Sequence, residues 1–210
     1  LYIQSQASMT IEDAIEFLQK DPQLASIINN VGNYKLKRKN HHFSTLVESI
    51  ISQQIATNAA EAIFKRFKKL YPKFPTASEI LSTRKSKLRI VGLSGMKIEY
   101  VKDLARHVEE GKLNMKSLSK MSDEDVITHL TQVKGIGRWT AEMFLIFSLG
   151  RQDVFPVDDL GLRKGVQILF SLPEIPKPRE VEKLGEKWRP YRTITTWYLW
   201  KSQQKFNKIG

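Results

Sequence analysis

The residues best suited to chemistry lie in one segment, which runs from Leu130 to Leu162 and reads LTQVKGIGRWTAEMFLIFSLGRQDVFPVDDLGL. It contains a glycine turn, Val133–Gly137, followed by two adjacent carboxylates, Asp158 and Asp159. A glycine turn that opens a helix directs backbone N–H groups outward, and such groups suit a phosphate. Carboxylates are repelled by DNA and are not needed to hold it. The segment therefore predicts an enzyme that processes DNA rather than a passive binder.

The composition supports a polyanionic partner and excludes several kinds of site. The 210 residues carry 34 Lys and Arg against 22 Asp and Glu, a formal net charge of +12. Such an excess is typical of proteins that bind nucleic acid, and an ordinary basic protein is the alternative. The chain has no cysteine, which excludes disulfides, thiolate zinc sites and cysteine-ligated iron–sulfur clusters. Its four histidines lack the spacing of a zinc hydrolase: His41, His42, His107 and His129.

No apolar run approaches the length of a membrane span, and no signal peptide is visible. We therefore expect no membrane partner and a location in the cytoplasm or the nucleus. We also expect a monomer. Residues 1–8 begin with LYIQSQ, which resembles the remnant of an engineered protease site, and Met9 is the expected native start.

The elements that must position the glycine turn and the carboxylates are predicted to be helices, because apolar residues recur at helical spacing and strand signals are nearly absent. Phe43 to Ser52 shows such a stripe, Thr10 and Thr57 suit N-caps, and Gly150 is expected to end the helix after the turn. We predict an all-α fold with two helical lobes. The terminal lobe comprises residues 9–40 plus 158–210, and the central lobe comprises residues 41–157.

The context V-K-G-I-G-R-W-T-A makes the glycine turn specific. It resembles the helix-hairpin-helix-Gly/Pro-Asp motif of base-excision DNA glycosylases, with Gly135, Gly137, Pro156 and Asp159 as its named parts. The stretches IISQQIATNAA, VGLSGMKIEYVKDLA and WRPYRTITTWYLW resemble the alkylation-repair branch, the 3-methyladenine DNA glycosylase II type. The resemblance spans residues 43–201. It implies an active site in the cleft between the lobes, and a compact form without the N-terminal β-rich subdomain of bacterial relatives.

The resemblance implies that Asp159 is the catalytic carboxylate. A fixed anion stabilises the oxocarbenium-like sugar of the transition state and can orient or deprotonate the attacking water. An N-cap is the alternative role for an aspartate at this place, and the adjacent pair allows both, with Asp158 as the cap. Bifunctional relatives carry a Schiff-base lysine two residues after the second hairpin glycine. This chain has Trp139 there, which implies a monofunctional enzyme that uses water as the nucleophile.

The resemblance also implies an aromatic base pocket. Trp139 and Trp200 stand at pocket positions and could hold a cationic alkylated purine by stacking and cation–π attraction. Two further pocket positions, aromatic in the bacterial relative, are Met143 and Leu160 here, so the range of accepted bases stays open. The other two tryptophans are expected in the core: Trp188 and Trp197.

Three turns supply the predicted DNA contacts. The hairpin glycines permit a close approach and tolerate a positive φ, and the N–H groups after Gly135 are expected to face one phosphate. Gln54 aligns with the wedge that fills the gap left by a flipped nucleotide, and a solvated polar turn is the alternative. The basic runs Lys35–Lys39 and Lys65–Lys69 are expected to add only non-specific affinity. The full set of predicted contacts is Gln53, Gln54, Ser94, Gly95, Lys97, Lys134, Gly135, Ile136, Gly137 and Arg138.

No cofactor is expected apart from a structural Na⁺ or K⁺, which the resemblance places on the carbonyls of Thr131, Val133 and Ile136. The predicted reaction is hydrolysis of the N-glycosidic bond of N-alkylated purines, such as 3-methyladenine or 7-methylguanine, in damaged double-stranded DNA. It leaves an abasic site. Two alternatives stay open: a glycosylase of the same superfamily for deaminated or oxidised bases, and a helix-hairpin-helix protein that binds DNA damage without catalysis.

Overall fold

A computed structural model describes residues 10–206, so the expected protease-site remnant and Met9 lie outside the described residues. No β-strand occurs in that range, which confirms the all-α prediction. None of its helices has the length and apolar character of a membrane span. The α-helices are α1 (Ile11–Leu18), α2 (Pro22–Val31), α3 (His42–Ser52), α4 (Thr57–Lys68), α5 (Ala77–Ser82), α6 (Lys85–Ile90), α7 (Gly95–Glu109), α8 (Asp123–Thr131), α9 (Arg138–Phe144), α10 (Leu160–Leu169), α11 (Pro178–Gly185) and α12 (Arg192–Phe206).

The chain divides into two compact units, and the central one runs from Arg38 to Gly150. In it α3 packs against α4, α7 and α9, while α7 also packs against α5 and α6. The apolar stripe predicted for α3 is confirmed, because Leu46, Val47, Ile50 and Ile51 are fully buried. Each such side chain stabilises the fold by about 1.5–3 kcal/mol. The central position of α3 and α7 makes them the frame on which the turns of this unit rest.

The terminal unit is formed by the described residues before Arg38 and those from Arg151 onward. Here α12 packs against α2 and α10, and its neighbours bury Trp197 and Tyr198. Trp188 is also buried, and its indole N–H donates to Asp21. The prediction that Trp188 and Trp197 belong to the core is confirmed. The hydroxyl of Thr193 accepts from the N–H of Val154, which fixes the chain that leads to Asp159.

Most predicted helix ends are confirmed, and one is wrong. Thr10 caps α1 in a capping box with Asp13, and Gly150 takes the left-handed φ of +69° that ends a helix. Thr57 does not cap α4. The chain is still extended at Ala56 (φ −63°, ψ 146°), so Thr57 becomes the first helical residue and its hydroxyl lies one position too late.

The helix after the glycine turn ends in a feature that the sequence pattern did not predict. Beyond α9, Leu145–Leu149 forms a π-helix. The guanidinium of Arg38 donates to the carbonyl of Leu149 at 2.9 Å, and the N–H of Lys39 donates to that of Phe147 at 2.8 Å. These bonds satisfy carbonyls at a helix end that would otherwise need water. Within the basic run Lys35–Lys39, the side chain of Arg38 and the backbone of Lys39 are therefore structural.

Candidate functional site

The glycine turn joins α8 to α9, and its two glycines have different physical roles. Gly135 has a φ of +83°, and a Cβ there would fall inside the ring of Tyr100. Both the backbone and the packing therefore require glycine. Gly137 is extended (φ −90°, ψ 173°), and a Cβ there would meet nothing within 4 Å. Because no described part of the chain needs a glycine at 137, its lack of a side chain fits the close approach of an external molecule.

The backbone N–H groups of the turn are not all available to a ligand. The N–H of Lys134 donates to the Asp103 carboxylate at 3.0 Å, and that of Ile136 donates to the carbonyl of Val133 at 3.1 Å. Of the N–H groups after Gly135 that are predicted to face one phosphate, that of Ile136 is instead bonded within the turn, and its side chain is buried. The N–H groups of Gly137 and Arg138 have no acceptor among residues 10–206. They open α9, where the helix dipole favours an anion.

Arg138 lies in an ion-pair network beside these amides. Its guanidinium donates to both carboxylate oxygens of Glu124, at 2.6 and 3.1 Å, and to Glu142 at 3.2 Å. The hydrogen bond that Arg138 donates to Glu124 raises the pKa of Arg138 above its usual value. Lys134 is exposed on the same turn. The charge of Arg138 is thus already balanced by carboxylates.

A second turn, Gln53–Gln54, is bonded directly to the glycine turn. The side-chain amide of Gln53 donates to the carbonyl of Gly135 at 2.7 Å. Gln54 is exposed with a φ of +55°, a left-handed conformation that is uncommon outside glycine and often occurs at functional sites. Ile55 beside it is also exposed. Gln53 therefore holds the second turn against the glycine turn. Gln54 lies exposed at the tip of the second turn, as a residue that enters the DNA stack must.

The third turn, before α7, lies beside the end of α3, which leads into the second turn. The ammonium of Lys97 donates to the carbonyl of Ile51 at 2.7 Å, and its partial burial lowers its pKa. Ser94 is the N-cap of α7, with its hydroxyl accepting from the N–H of Lys97 at 3.3 Å, and Gly95 is the first helical residue. The structure thus brings all three predicted DNA-contact turns together in the central unit.

The candidate catalytic carboxylate lies in the terminal unit, at the start of α10. Asp159 is the N-cap, and its Oδ1 accepts from the N–H of Leu162 at 2.6 Å and from the indole N–H of Trp200 at 2.8 Å. The expectation that Asp158 is the cap is wrong, because the N–H of Asp159 donates to Pro156 and this turn leaves Asp158 exposed outside the helix. The N-cap and the candidate catalytic carboxylate are therefore the same residue, Asp159.

The predicted pocket residues are partly exposed. Trp139 is 48% exposed, and Met143 lies one turn later on the same face of α9. In the terminal unit, Leu160 is 52% exposed directly after Asp159. Trp200 contacts Asp159 through its N–H, a role that the sequence did not indicate.

Comparison with known proteins agrees with this geometry. A family model described as HhH-GPD superfamily base excision DNA repair protein matches residues 47–190. The chain belongs to the HhH-GPD superfamily. It is 41% identical over 190 residues to DNA-3-methyladenine glycosylase 1 of Schizosaccharomyces pombe, covering 88% of this chain and 83% of the relative. It is 34% identical to the alkylbase DNA glycosidase-like protein mag2 of the same organism, covering 86% and 87%.

Solved structures give the same result. A 3-methyladenine DNA glycosylase of Schizosaccharomyces pombe in complex with abasic DNA superposes with a TM-score of 0.82 at 39% identity, covering 91% of this chain and 96% of that one. A DNA-3-methyladenine glycosidase from Bacillus halodurans superposes with a TM-score of 0.83 at 36% identity, covering 91% and 89%. The resemblance to the superfamily and to its alkylation-repair branch, predicted from sequence, is confirmed.

Sequence reasoning missed three residues that shape the HhH-GPD site. Tyr100 and Asp103, one turn apart on α7, contact the glycine turn. Gly161 admits Trp200, because a Cβ at 161 would lie 3.0 Å from the Asp159 carboxylate and 3.1 Å from the indole. Asp103 had no local signal, since it lies away from the apolar face of α7 that is formed by Ile98, Val101 and Leu104. Among the described residues, no cluster of His, Asp and Glu is suited to a metal ion.

Proposed function

We propose that this HhH-GPD protein is a monofunctional DNA glycosylase that removes N-alkylated purines from duplex DNA. The observation that carries the proposal is Asp159, which is held on one oxygen by the α10 N-terminus and by the indole of Trp200. A pure DNA binder gains nothing from a carboxylate fixed this firmly. The relatives named 3-methyladenine glycosylases, at up to 41% identity, support the alkylated base as the substrate.

The reaction is hydrolysis. The bond between the sugar C1′ and the base nitrogen breaks, the electron pair leaves with the base, and water supplies the hydroxyl at C1′. Asp159 stabilises the positive charge that develops on the sugar and takes the proton of the attacking water. A base that already carries a positive charge leaves readily, so no strong acid is required. Trp139, which stands where bifunctional relatives have lysine, offers an aromatic face and no amine.

The central unit supports the DNA-binding half of the proposal. The free N–H groups of Gly137 and Arg138, with Lys134 beside them, suit one phosphate. Gln54 at the tip of its turn suits the wedge that fills the vacated stack. We also propose that the carbonyls of Thr131, Val133 and Ile136 hold Na⁺ or K⁺, since the carbonyl of Val133 retains a lone pair beside its bond from Ile136. This site is tested by comparing the melting temperature of the protein in Na⁺ or K⁺ with its melting temperature in a bulky organic cation.

The deciding experiment compares the wild type with Asp159→Asn on duplex DNA that contains 7-methylguanine. Asparagine is also a good N-cap, so the variant removes the charge while it keeps the bond to Leu162. We expect breaks only after hot alkali with wild type, and a rate lower by about 10²–10³ in the variant. Asp158→Asn, at the exposed neighbour, is the matched control and should keep the wild-type rate.

Other outcomes choose between the alternatives. Breaks without alkali would contradict the monofunctional assignment. Release of deaminated or oxidised bases in preference to alkylated ones would favour the second glycosylase reading, for which Met143 and Leu160 are the structural argument. Tight lesion binding with no base release from any lesion would favour the damage sensor. We further propose a monomer, because a net charge of +12 opposes self-association, and analytical ultracentrifugation measures this directly.

A further inference from the structure

Asp103 is a buried carboxylate in a place that packing alone would give to an apolar residue. It lies on α7 at 6% exposure, on the helix face of Tyr100 and His107 and away from the apolar face of Val101 and Leu104. Burying a charge is costly unless it is paired and hydrogen-bonded. Packing in the core of the central unit therefore does not explain why a carboxylate occupies this position.

Its contacts supply that reason. One carboxylate oxygen, Oδ2, accepts from the backbone N–H of Lys134 at 3.0 Å, and the other accepts from the guanidinium of Arg106 at 2.8 Å. His107 lies close by, with Nδ1 3.5 Å from Oδ2 and 2.9 Å from the Asp103 carbonyl oxygen. Arg106 balances the charge from a largely exposed position, whereas the bond to Lys134 is directional and reaches the glycine turn.

The next residue of the turn, Gly135, is held at two further points. One turn before Asp103, the ring of Tyr100 lies against the Cα of Gly135. On the far side of that residue, Gln53 donates to its carbonyl at 2.7 Å. The two-residue segment Lys134–Gly135 is thus fixed at the N–H of Lys134 by Asp103, at Gly135 Cα by Tyr100 and at the carbonyl of Gly135 by Gln53. Of these three, Asp103 alone acts on the N–H of Lys134.

Fixing this amide determines which N–H groups remain for a ligand. With Lys134 bonded to Asp103 and Ile136 bonded to Val133, the N–H groups of Gly137 and Arg138 are left without an acceptor among the described residues. If the Lys134 amide were released, the turn could rotate and its N–H groups would no longer converge. Asp103 also places a negative charge near a surface expected to meet phosphates, so repulsion gives it no direct part in binding.

We propose that Asp103 is a positioning residue, which sets the phosphate-binding geometry of the glycine turn by accepting the N–H of Lys134. The inference rests on the proposed function for its DNA substrate. It predicts that Asp103 contributes to DNA affinity and not to the chemical step.

The test uses three variants of the full chain. Asp103→Ala removes the acceptor, Asp103→Asn keeps an acceptor oxygen without the charge, and Arg106→Gln removes the ion pair while it leaves the bond to Lys134. We measure affinity for undamaged and 7-methylguanine duplexes, and the single-turnover rate of base release at saturating enzyme.

We expect Asp103→Ala to weaken the affinity for both duplexes by about tenfold, as the loss of one charged hydrogen bond implies, with a saturated rate near wild type. Asp103→Asn should recover most of that loss, and Arg106→Gln should stay within about twofold of wild type, since an exposed ion pair is weak. Unchanged affinity in Asp103→Ala, an Asn variant as weak as Ala, or a fall confined to the saturated rate would overturn the proposal.

Hydrogen exchange of the Lys134 amide provides a second measurement that needs no variant. The proposal requires this amide to be protected in the wild type, and exchange as fast as that of an open loop would overturn it even if Asp103→Ala does not fold. Failure of the proposed function is distinguishable, because it would abolish base release in the wild type while the affinity differences among the variants persist.

Discussion

At the scale of single residues, Asp159 combines a common structural role with the chemical role proposed for it. Its position before a helix indicated an N-cap, its place after the hairpin indicated catalysis, and the structure assigns the cap to this same side chain. The contact with Trp200 could not be predicted, because the two residues are 41 positions apart and no local pattern links them. A sequence identifies such a carboxylate more readily than the partner that orients it.

The indole of Trp200 offers a sharp test of this pairing. Trp200→Phe keeps an aromatic face for stacking but deletes the N–H that donates to Asp159 at 2.8 Å. Because a hydrogen bond to a charged group contributes about 1.5–3 kcal/mol, we expect the single-turnover rate to fall by roughly 10-fold or more, with lesion affinity little changed. Trp197→Phe, in the core, is the control and should lower the melting temperature without slowing the folded enzyme. A full rate in Trp200→Phe would show that the indole serves only to stack.

At the scale of elements, most regular helices were predictable and the special ones were not. The stripe of α3 and the cap at Thr10 follow from local spacing, and the structure confirms them. The capping box of α5, Thr76 with Glu79, was also present in the sequence and was missed. The π-helix Leu145–Leu149 has no local signal, because it is completed by Arg38 and Lys39 from more than a hundred residues earlier.

The two hairpin glycines give a matched pair of variants. Gly135→Ala forces a Cβ into the ring of Tyr100 at a φ of +83°, so we expect a loss of at least about 1–3 kcal/mol in unfolding free energy. Gly137→Ala meets open space at an ordinary φ, and its stability should change by less than about 1 kcal/mol.

DNA binding should separate the same two variants in another way. A methyl group at 137 stands where a phosphate would approach, so folded Gly137→Ala should bind duplex DNA more weakly than wild type at an unchanged melting temperature. Denaturant unfolding measures the stability of each variant, and fluorescence anisotropy measures its affinity for duplex DNA. If Gly137→Ala and wild type bound duplex DNA with equal affinity, the phosphate would not approach the chain at Gly137.

At the scale of the whole molecule, the net charge of +12 indicated a polyanionic partner but not which cations meet it. The structure shows which of these cationic side chains already have partners within the protein. The guanidinium of Arg38 bonds to a π-helix carbonyl, the ammonium of Lys39 pairs with Glu48, and that of Lys97 bonds to the carbonyl of Ile51. The charge of Arg138 is balanced by two carboxylates. Such pairings join distant parts of the chain, which is why composition could not reveal them. Lys134 is the exposed cation of the glycine turn itself.

The salt dependence of DNA binding distinguishes these cations. A side chain that neutralises one phosphate contributes about −0.9 to the slope of log affinity against log salt. We therefore expect Lys134→Ala to make the slope shallower by about 0.9. Arg138→Gln should change it less, because Glu124 and Glu142 already compensate that charge. Lys183→Ala, on α11, removes the same charge from a helix without predicted contacts and should leave the slope unchanged. Equal changes in Lys134→Ala and Lys183→Ala would mean that DNA senses only the total charge, and would remove Lys134 from the phosphate contacts.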